Sequence, residues 1–298
     1  MTQQTMFGRV MILGLGMIGG SLASALKRAA IYESVEAYTR RSETWQWAQQ
    51  HHIIDHGSSD IKDCANADII IFATPLNSMA PLLKEVLPYL KPTVIITDVG
   101  SVKAQWIKEA KALLLNLVQF VPGHPIAGSE KTGVTAANPD LFIDHRVILT
   151  PLTETSSDAI NTIDLLWKSV GAIVEIMSPQ KHDEILAATS HAPHFLAYTL
   201  VDTFAQRANV DELMQYAAGG FRDFTRIAAS DPHMWHDIFL QNHEALLQVV
   251  TEFEQNLNQL KTHIVNKNSA DLLLSLQRAQ KTRDHFGEAY AKRLKKTF

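Results

Sequence analysis

Residues 9–19, RVMILGLGMIG, place a short apolar run directly before a glycine-rich turn. Arg9–Leu13 predicts a buried strand, and the pattern G-x-G-x-x-G follows at Gly14, Gly16 and Gly19. The first glycine permits a tight turn, the second lets the backbone approach a pyrophosphate, and the third lets helix and strand pack closely. A helix predicted over 17–29 presents its free N–H groups to the phosphates. The stretch therefore predicts a dinucleotide-binding turn, and a glycine turn without ligand is the alternative.

Strands and helices alternate through the first 178 residues. The predicted strands cover 9–13, 35–39, 67–73, 93–98, 119–122, 146–150 and 172–177. The predicted helices cover 17–29, 43–51, 79–90, 102–115 and 158–170. This alternation is typical of an α/β fold, a doubly wound parallel sheet of Rossmann type.

The second part of the chain is predicted to be all-α. After Pro179 the helical stretches are 181–205, 210–217, 232–265 and 269–296. We therefore predict a dinucleotide-binding domain over 1–178 and a helical substrate and dimerisation domain over 179–298. The last two helices carry long apolar stripes, which favour a homodimer formed through these helices. Packing of the two helices on each other and on 181–205 is the alternative.

Composition and charge exclude several classes of partner. The 298 residues are 46% hydrophobic and 19% charged, with 27 basic and 31 acidic side chains and a net charge of −4. This is a globular composition without the basic excess that nucleic acid or an anionic membrane requires. The one cysteine, Cys64, excludes an intrachain disulfide and a cysteine-rich metal site. It fits a reducing compartment, and we expect the cytoplasm.

The end of the second predicted strand indicates which dinucleotide binds. Enzymes that use NAD usually carry an acidic residue there, which binds the ribose 2′-hydroxyl. Here Thr39, Arg40 and Arg41 follow the strand, and arginine pairs with phosphate through charge-assisted hydrogen bonds. We therefore predict NADP rather than NAD. Two solvated arginines are the structural alternative, and Glu36 is a ribose ligand only if the strand ends earlier. The candidate cofactor-binding residues are Gly14, Gly16, Met17, Ile18, Gly19, Thr39, Arg40, Arg41, Thr74 and Pro75.

Further motifs carry polar side chains at positions suited to chemistry. Residues 97–103 (TDVGSVK) and 123–130 (GHPIAGSE) each follow a predicted strand. The carboxyl ends of strands line the ligand crevice of a doubly wound sheet, so both motifs are expected to face it. Residues 190–194 (SHAPH) lie in the first long helix of the second half, with 221–228 (FRDFTRIA) and 231–235 (DPHMW) downstream.

Together with 14–21 (GLGMIGGS), these motifs resemble the prephenate/arogenate dehydrogenase family, the tyrosine-branch TyrA enzymes. Five motifs in the expected order, from Gly14 to Trp235, are far more specific than any one of them. The resemblance implies a nucleotide-binding domain followed by a helical dimerisation domain. It also implies oxidative decarboxylation of prephenate to 4-hydroxyphenylpyruvate, or of arogenate to tyrosine, with hydride transfer to NAD(P). The two substrates differ by a keto or amino group, and no residue in the sequence decides between them.

The implied reaction needs a proton acceptor at the ring hydroxyl. A neutral histidine suits this role because its usual pKa of about 6.5 is near the working pH. We assign the role to His124, in a loop framed by glycine and proline, and expect Ser101 to bond both the hydroxyl and His124. The structural alternative for His124 is a loop histidine that hydrogen-bonds a backbone carbonyl.

The two carboxylates of prephenate need cationic partners. The resemblance makes Arg226 the first candidate, and Arg222 shares its face if the stretch is helical. The alternative for Arg222 is a salt bridge to Asp223 or a place on the surface, while Asp223 in turn is expected to orient an arginine. The remaining candidate substrate-binding residues from the matching motifs are His194, His191, Glu130 and Trp235.

Two other functions remain open from the sequence. A dehydrogenase of the beta-hydroxyacid type has the same glycine-rich start, but it expects a catalytic lysine after a glycine-rich turn, and Lys181 lacks that context. A non-catalytic NADP-binding sensor needs no proton acceptor beside the nicotinamide. A functional metal is not expected, because the 13 histidines form no H-E-x-x-H pattern and hydride transfer needs none.

Overall fold

The glycine turn joins the first strand and helix as the sequence predicts. The computed structural model describes residues 7–129 and 131–295, with side chains of the last helix described up to residue 287. Strand β1 (Phe7–Leu13) leads through the turn into helix α1 (Met17–Ala29). Gly14 has φ +103°, a conformation that L side chains rarely adopt, and a Cβ at Gly19 would overlap the carbonyl oxygen of Gly14. These two positions therefore require glycine.

The first sheet is a six-stranded parallel sheet. Its strands are β1, β2 (Tyr32–Tyr38), β3 (His56–Ser58), β4 (Ile69–Phe72), β5 (Ile95–Asp98) and β6 (Phe120–Val121). The helices between them are α1, α2 (Ser42–Gln50), α3 (Leu76–Val86) and α4 (Ala104–Leu113). The strand order is β3-β2-β1-β4-β5-β6, with every neighbouring pair parallel. The predicted α/β fold is confirmed, and the order reverses between β1 and β4, where such sheets bind their ligands.

The central strands are buried on both faces. In β1, Val10 and Ile12 belong to one apolar cluster, while Met11 and Leu13 belong to a second cluster on the other side of the sheet. A strand covered by helices on both faces needs apolar residues at consecutive positions, which explains the uninterrupted run VMIL. The sheet is therefore the core of the nucleotide-binding part of the chain.

A second, three-stranded sheet carries the candidate catalytic histidine. It consists of β7 (Gly123–Pro125), β8 (Arg146–Leu149) and β9 (Ile173–Ile176), with helix α5 (Ser157–Ser169) between the last two strands. Strand β7 is antiparallel to β8, and His124 is paired with Ile148. The prediction of a loop at His124 was therefore wrong. Glycine and proline weaken a strand pattern, but β7 lies at the edge of its sheet, where proline is tolerated.

The helix predicted over 181–205 contains a π-helical turn. Helix α6 (Pro179–Leu186) continues through this turn, Ala187–His191, into helix α7 (Ala192–Ala205). The N–H of Ala192 bonds the carbonyl of Ala187, five residues back. Pro193 has no N–H to give to a normal helical bond, and single π turns of this kind often occur at functional sites.

The helix predicted over 232–265 is interrupted at Asn242, so that prediction was wrong in one detail. The remaining helices are α8 (Val210–Gln215), α9 (Gly219–Thr225), α10 (Pro232–Gln241), α11 (His243–Val265) and α12 (Ser269–Lys295). The buried Asn242 side chain donates to the carbonyl of Asp183 at 2.9 Å. Asn242 thus lies between α10 and α11 with its side chain held against α6.

The chain divides into two compact units between His243 and Glu244. The first unit contains both sheets and helices α1–α10, and the second contains α12 and nearly all of α11. This division does not coincide with the predicted domain boundary between residues 178 and 179. That boundary stays a prediction. Among the described residues, no helix combines the length and the apolar character needed to cross a bilayer.

Candidate active site

The carboxyl ends of β1 and β4 form a site that fits a dinucleotide. Gly16 is the N-cap of α1, and no side chain of the described residues caps this helix end. Apart from its chain neighbours, no described atom lies within 4 Å of the place where a Cβ of Gly16 would be. The free N–H groups of the helix therefore face open space, as a pyrophosphate requires. After β4, the buried hydroxyl of Thr74 has no hydrogen-bond partner in the described ranges. Pro75 is the N-cap of α3, whose first turn also receives no side-chain cap from the described residues.

The residues after β2 lie as the sequence predicts. The strand ends at Tyr38, so Glu36 lies inside it, and the Glu36 carboxylate accepts a hydrogen bond from Ser34 at 2.7 Å. Of the two arginines, Arg40 pairs with Glu85 at 3.5 Å on the surface. Arg41 is exposed, and its side chain makes no ion pair with any residue that the structure describes. Arg41 is therefore the exposed guanidinium that the sequence analysis predicts to bind a 2′-phosphate.

A buried ion pair holds the strand that carries His124. The side chains of Lys103 and Asp98 are fully buried and pair with each other. Lys103 Nζ also donates to the carbonyl of Gly123 at 2.7 Å, while Asp98 Oδ1 accepts the N–H of Gly123 at 3.2 Å. The N–H and the carbonyl of Gly123, the residue before His124, are therefore both held by hydrogen bonds. Burial lowers the pKa of Lys103, although the Asp98 charge opposes this.

His124 is the first member of a buried hydrogen-bonded chain. Its Nδ1 lies 2.8 Å from Nε2 of His182, and Nδ1 of His182 lies 2.7 Å from Oδ1 of Asp183. Nε2 of His124 has no hydrogen-bond partner within the described residues. Sequence reasoning missed this chain, because His182 and Asp183 are 58 residues or more away from His124 and their dipeptide matches no motif.

The low-dielectric surroundings keep these histidines neutral. Burial lowers the pKa of His124 well below the ordinary 6.5, and the neighbouring His182 and Lys103 lower it further by charge repulsion. Burial also lowers the pKa of His182, although its hydrogen bond to Asp183 opposes the shift. His124 is therefore an unprotonated base at neutral pH.

His191, His194 and Trp235 form a second group. The His194 ring stacks on Trp235 with centroids 3.6 Å apart, and its Nδ1 bonds the carbonyl of Ser190 at 2.9 Å. The indole N–H of Trp235 is buried without a partner in the part of the chain that the structure describes. His191 is only 1% exposed, and its Nδ1 lies 3.0 Å from the amide of Asn242. Burial lowers the pKa of His191 to about 4.

Two family models divide the chain between them. Residues 22–176 match the nucleotide-binding domain of prephenate dehydrogenase, and residues 178–278 match its dimerization domain. The chain belongs to the prephenate dehydrogenase family.

Individual relatives agree with this assignment. Cyclohexadienyl dehydrogenase of Zymomonas mobilis is 38% identical over 282 residues, which cover 94% of this chain and 96% of the relative. Prephenate dehydrogenase of Bacillus subtilis is 35% identical over 92% of this chain and 75% of its own. A crystal structure of the Aquifex aeolicus prephenate dehydrogenase with hydroxyphenyl propionate and NAD+ has a TM-score of 0.88 at 36% identity, covering 94% of this chain and 98% of that one.

The prephenate dehydrogenase fold brings some predicted residues together and leaves others apart. Arg226 lies in a 3-10 turn, Arg226–Ala229, and its charge is close enough to His194 to lower the pKa of that imidazole, after the larger effect of burial. Arg222 instead pairs with Asp223 at 3.1 Å in full exposure, as the structural alternative for Arg222 anticipated. Glu130 lies outside the described residues.

Ser101 is half-buried in the turn between β5 and α4. Within the described ranges it makes no hydrogen bond to His124, whose Nδ1 lies 2.8 Å from His182 Nε2. The orienting role of Ser101 and its bond to the substrate hydroxyl therefore stay predictions. No cluster of metal-ligating side chains occurs among the described residues.

Replacing Lys103 with methionine should destabilise the protein strongly. The change keeps the volume but leaves the Asp98 carboxylate buried without its cation, which typically costs about 3–5 kcal/mol. Urea unfolding followed by circular dichroism measures the loss. Lys91→Met is the matched control, since Lys91 pairs with Asp68 at the half-exposed surface, where such pairs contribute at most about 1 kcal/mol. Equal losses in both variants would contradict a special role for the buried pair.

Proposed function

We propose that this protein oxidatively decarboxylates prephenate to 4-hydroxyphenylpyruvate in tyrosine biosynthesis. The observation that carries the proposal is the buried, neutral His124, whose Nδ1 is bonded and whose Nε2 is left for a ligand. Arogenate is the second candidate substrate. This alternative is supported by the crystal structure of the Synechocystis arogenate dehydrogenase, which is 29% identical in sequence to this chain and has a TM-score of 0.81.

One histidine can carry out both proton transfers that this reaction needs. When bound, the nicotinamide supplies the hydride acceptor for ring C4. As that hydride leaves, His124 Nε2 takes the hydroxyl proton, and the O–H electron pair becomes the second bond of the C=O group. The ring carboxylate then departs as CO2, and its bonding pair completes the aromatic ring and leaves a phenolate oxygen. His124 returns the proton to that oxygen, so no net proton is consumed.

Substrate binding is assigned to residues around the His194–Trp235 stack. Arg226 is the cation proposed for a substrate carboxylate, because it is exposed and electrostatically coupled to His194. His194 donates through Nδ1 to Ser190, which leaves Nε2 as an acceptor, and Trp235 has its indole N–H to donate. His191 supports the site from the interior. Arg222, Asp223 and Glu130 remain candidate contacts from the sequence motifs.

The cofactor proposed is NADP. Its support is the unpaired Arg41 at the N-cap of α2 and the place of Glu36 inside β2 rather than at its end. Gly14, Gly16 and Gly19 form the pyrophosphate turn, Met17 and Ile18 open the helix, and Thr74 and Pro75 border the crevice. NAD is the alternative, and it is the cofactor bound to the Aquifex aeolicus relative.

The proposed assembly is a homodimer through the C-terminal helices. Several large apolar side chains on α11 and α12 are exposed in the single chain, and they are Leu247, Phe253, Leu257, Ile264, Leu273, Leu274 and Leu276. Apolar surface of this extent is typical of an interaction site. The match to a dimerization domain favours a second copy of the chain as the partner.

The rival functions fit the described residues less well. The beta-hydroxyacid dehydrogenase type needs a catalytic lysine, and Lys181 is exposed on the first turn of α6. A dinucleotide sensor has no use for a buried base with a vacant Nε2.

His124→Asn should remove turnover and keep the cofactor. General base catalysis contributes about 10²- to 10⁴-fold, so kcat should fall by that factor while NADP affinity is retained. Because only the neutral imidazole accepts a proton, kcat/KM of the wild type should fall as pH drops, with a midpoint below the ordinary histidine value of 6.5. Steady-state kinetics between pH 5 and 9 give both results. A midpoint at or above 6.5, or an unchanged kcat in the variant, would argue against His124 as the base. A wild type that binds NADP but shows no turnover would support the sensor.

Absorbance at 340 nm with prephenate or arogenate, each with NAD or NADP, tests substrate and cofactor together. Arg41→Ala should raise KM for NADP about 10- to 100-fold, the value of a charge-assisted hydrogen bond, and leave KM for NAD unchanged. Arg40→Ala is the control and should change less, since Arg40 pairs with Glu85. A wild type that prefers NAD would contradict the proposed 2′-phosphate site at Arg41.

Light scattering in solution should give twice the mass of one chain. Leu257→Asp should shift the protein towards monomer, because a charge buried in an apolar interface is costly. Gln259→Asp is the control, since two residues along a helix turn the side chain about 200° away. A monomeric wild type would contradict the proposed interface.

A further inference from the structure

The buried chain behind His124 ends in a carboxylate with three donors. Oδ1 of Asp183 accepts the N–H of Lys103 at 2.9 Å, and Oδ2 accepts the N–H of Ala104 at 2.8 Å, both at the start of α4. The third donor is His182. Burial alone would raise the pKa of Asp183, but the hydrogen bonds from His182 and the two backbone groups outweigh it, and the pKa lies below the usual range. Asp183 is therefore ionised and can only accept.

This fixes the proton positions along the chain. An ionised Asp183 requires the proton of His182 on Nδ1, and a neutral imidazole has only one N–H. Nε2 of His182 is therefore an acceptor, and it lies 2.8 Å from Nδ1 of His124. His124 must donate through Nδ1, which leaves the lone pair on Nε2.

We propose that His182, held by Asp183, is a positioning residue that fixes His124 in the tautomer able to accept the substrate hydroxyl proton. The inference rests on the proposed function for its reaction. His182 touches neither substrate nor cofactor in this role and acts through His124. The other tautomer of His124 would present an N–H to the hydroxyl and could not take its proton.

The same chain stabilises His124 while it holds the borrowed proton. The hydroxyl O–H bond breaks and an N–H bond forms at Nε2, so His124 becomes an imidazolium that still donates through Nδ1 to His182. The carboxylates of Asp183 on α6 and Asp98 on β5 favour positive charge on His182, the next member of the chain. Lys103 at the N-cap of α4 and His191 in the π turn disfavour positive charge on His124. The N–H at Nε2 breaks again when the proton returns to the phenolate oxygen.

Three variants separate positioning from simple structural support. His182→Leu removes the acceptor, His182→Gln keeps an amide oxygen that can accept from His124, and Thr155→Val is the matched control. Thr155 is buried and its hydroxyl makes two hydrogen bonds, to Phe120 and Leu152, as many as His182 makes. Melting temperature and NADP binding, followed by tryptophan fluorescence, establish that each variant is folded.

Turnover and the tautomer are then measured independently. We expect kcat of His182→Leu to fall about 10²- to 10⁴-fold, the range of general base catalysis, with NADP affinity retained. His182→Gln should recover most of kcat, and Thr155→Val should match the wild type. Nitrogen-15 NMR of the imidazoles, on the wild type without substrate, should place the His124 proton on Nδ1.

The outcomes distinguish the two proposals. A His182→Leu variant as active as Thr155→Val, in a wild type that turns over prephenate or arogenate, overturns the positioning role and leaves the function. A His124 proton on Nε2 also overturns it. A wild type without turnover, but with the proton on Nδ1, overturns the function and with it the catalytic purpose of the chain, while the tautomer stands.

Discussion

The ion pair of Lys103 and Asp98 is the interaction on which the candidate site depends. It lies fully buried between β5, α4 and β7, and its members bond both backbone groups of Gly123. A buried charge is tolerated only when its partner and hydrogen bonds compensate for the lost water, and here both conditions are met. Through these bonds, the ion pair fixes the position of β7 at Gly123, the residue before His124.

The start of α4 links this pair to the histidine chain. Asp183 on α6 bonds the backbone N–H groups of Lys103 and Ala104, where a helix N-terminus favours negative charge. Lys103 and Ala104 therefore hold both carboxylates. The Lys103 side chain binds Asp98, and the backbone N–H groups of the two residues bind Asp183. These bonds attach α6 to the sheet next to the candidate base His124. Burial at this junction also lowers the pKa of His124 and His182 and so keeps both histidines neutral, as the proposed base requires.

The two ends of the site are built on different principles. The cofactor turn needs space and free backbone donors, which the glycines after β1 provide because they have no side chains. The catalytic end needs the opposite, namely close packing and complete hydrogen bonding around a few polar groups. Thr74 and Trp235 are two of the six residues whose buried polar side-chain atom has no hydrogen-bond partner among the described residues. Both lie where a ligand is proposed.

The sequence by itself determined the α/β fold, the glycine turn and the family, but not the edge strand β3 or the separate sheet of β7, β8 and β9. Local patterns carry this information: a continuous apolar run, glycines at required spacings, and motifs in a characteristic order along the chain. It also identified His124, His194 and Trp235 as candidates, although it placed His124 in a loop and predicted one helix where Asn242 makes two. Only the tertiary structure decided that Ser101 does not hold His124 and that His182 and Asp183 do. The physical reason is distance along the chain: the two histidines are 58 residues apart, and packing of α6 against β7 and α4 alone makes them neighbours.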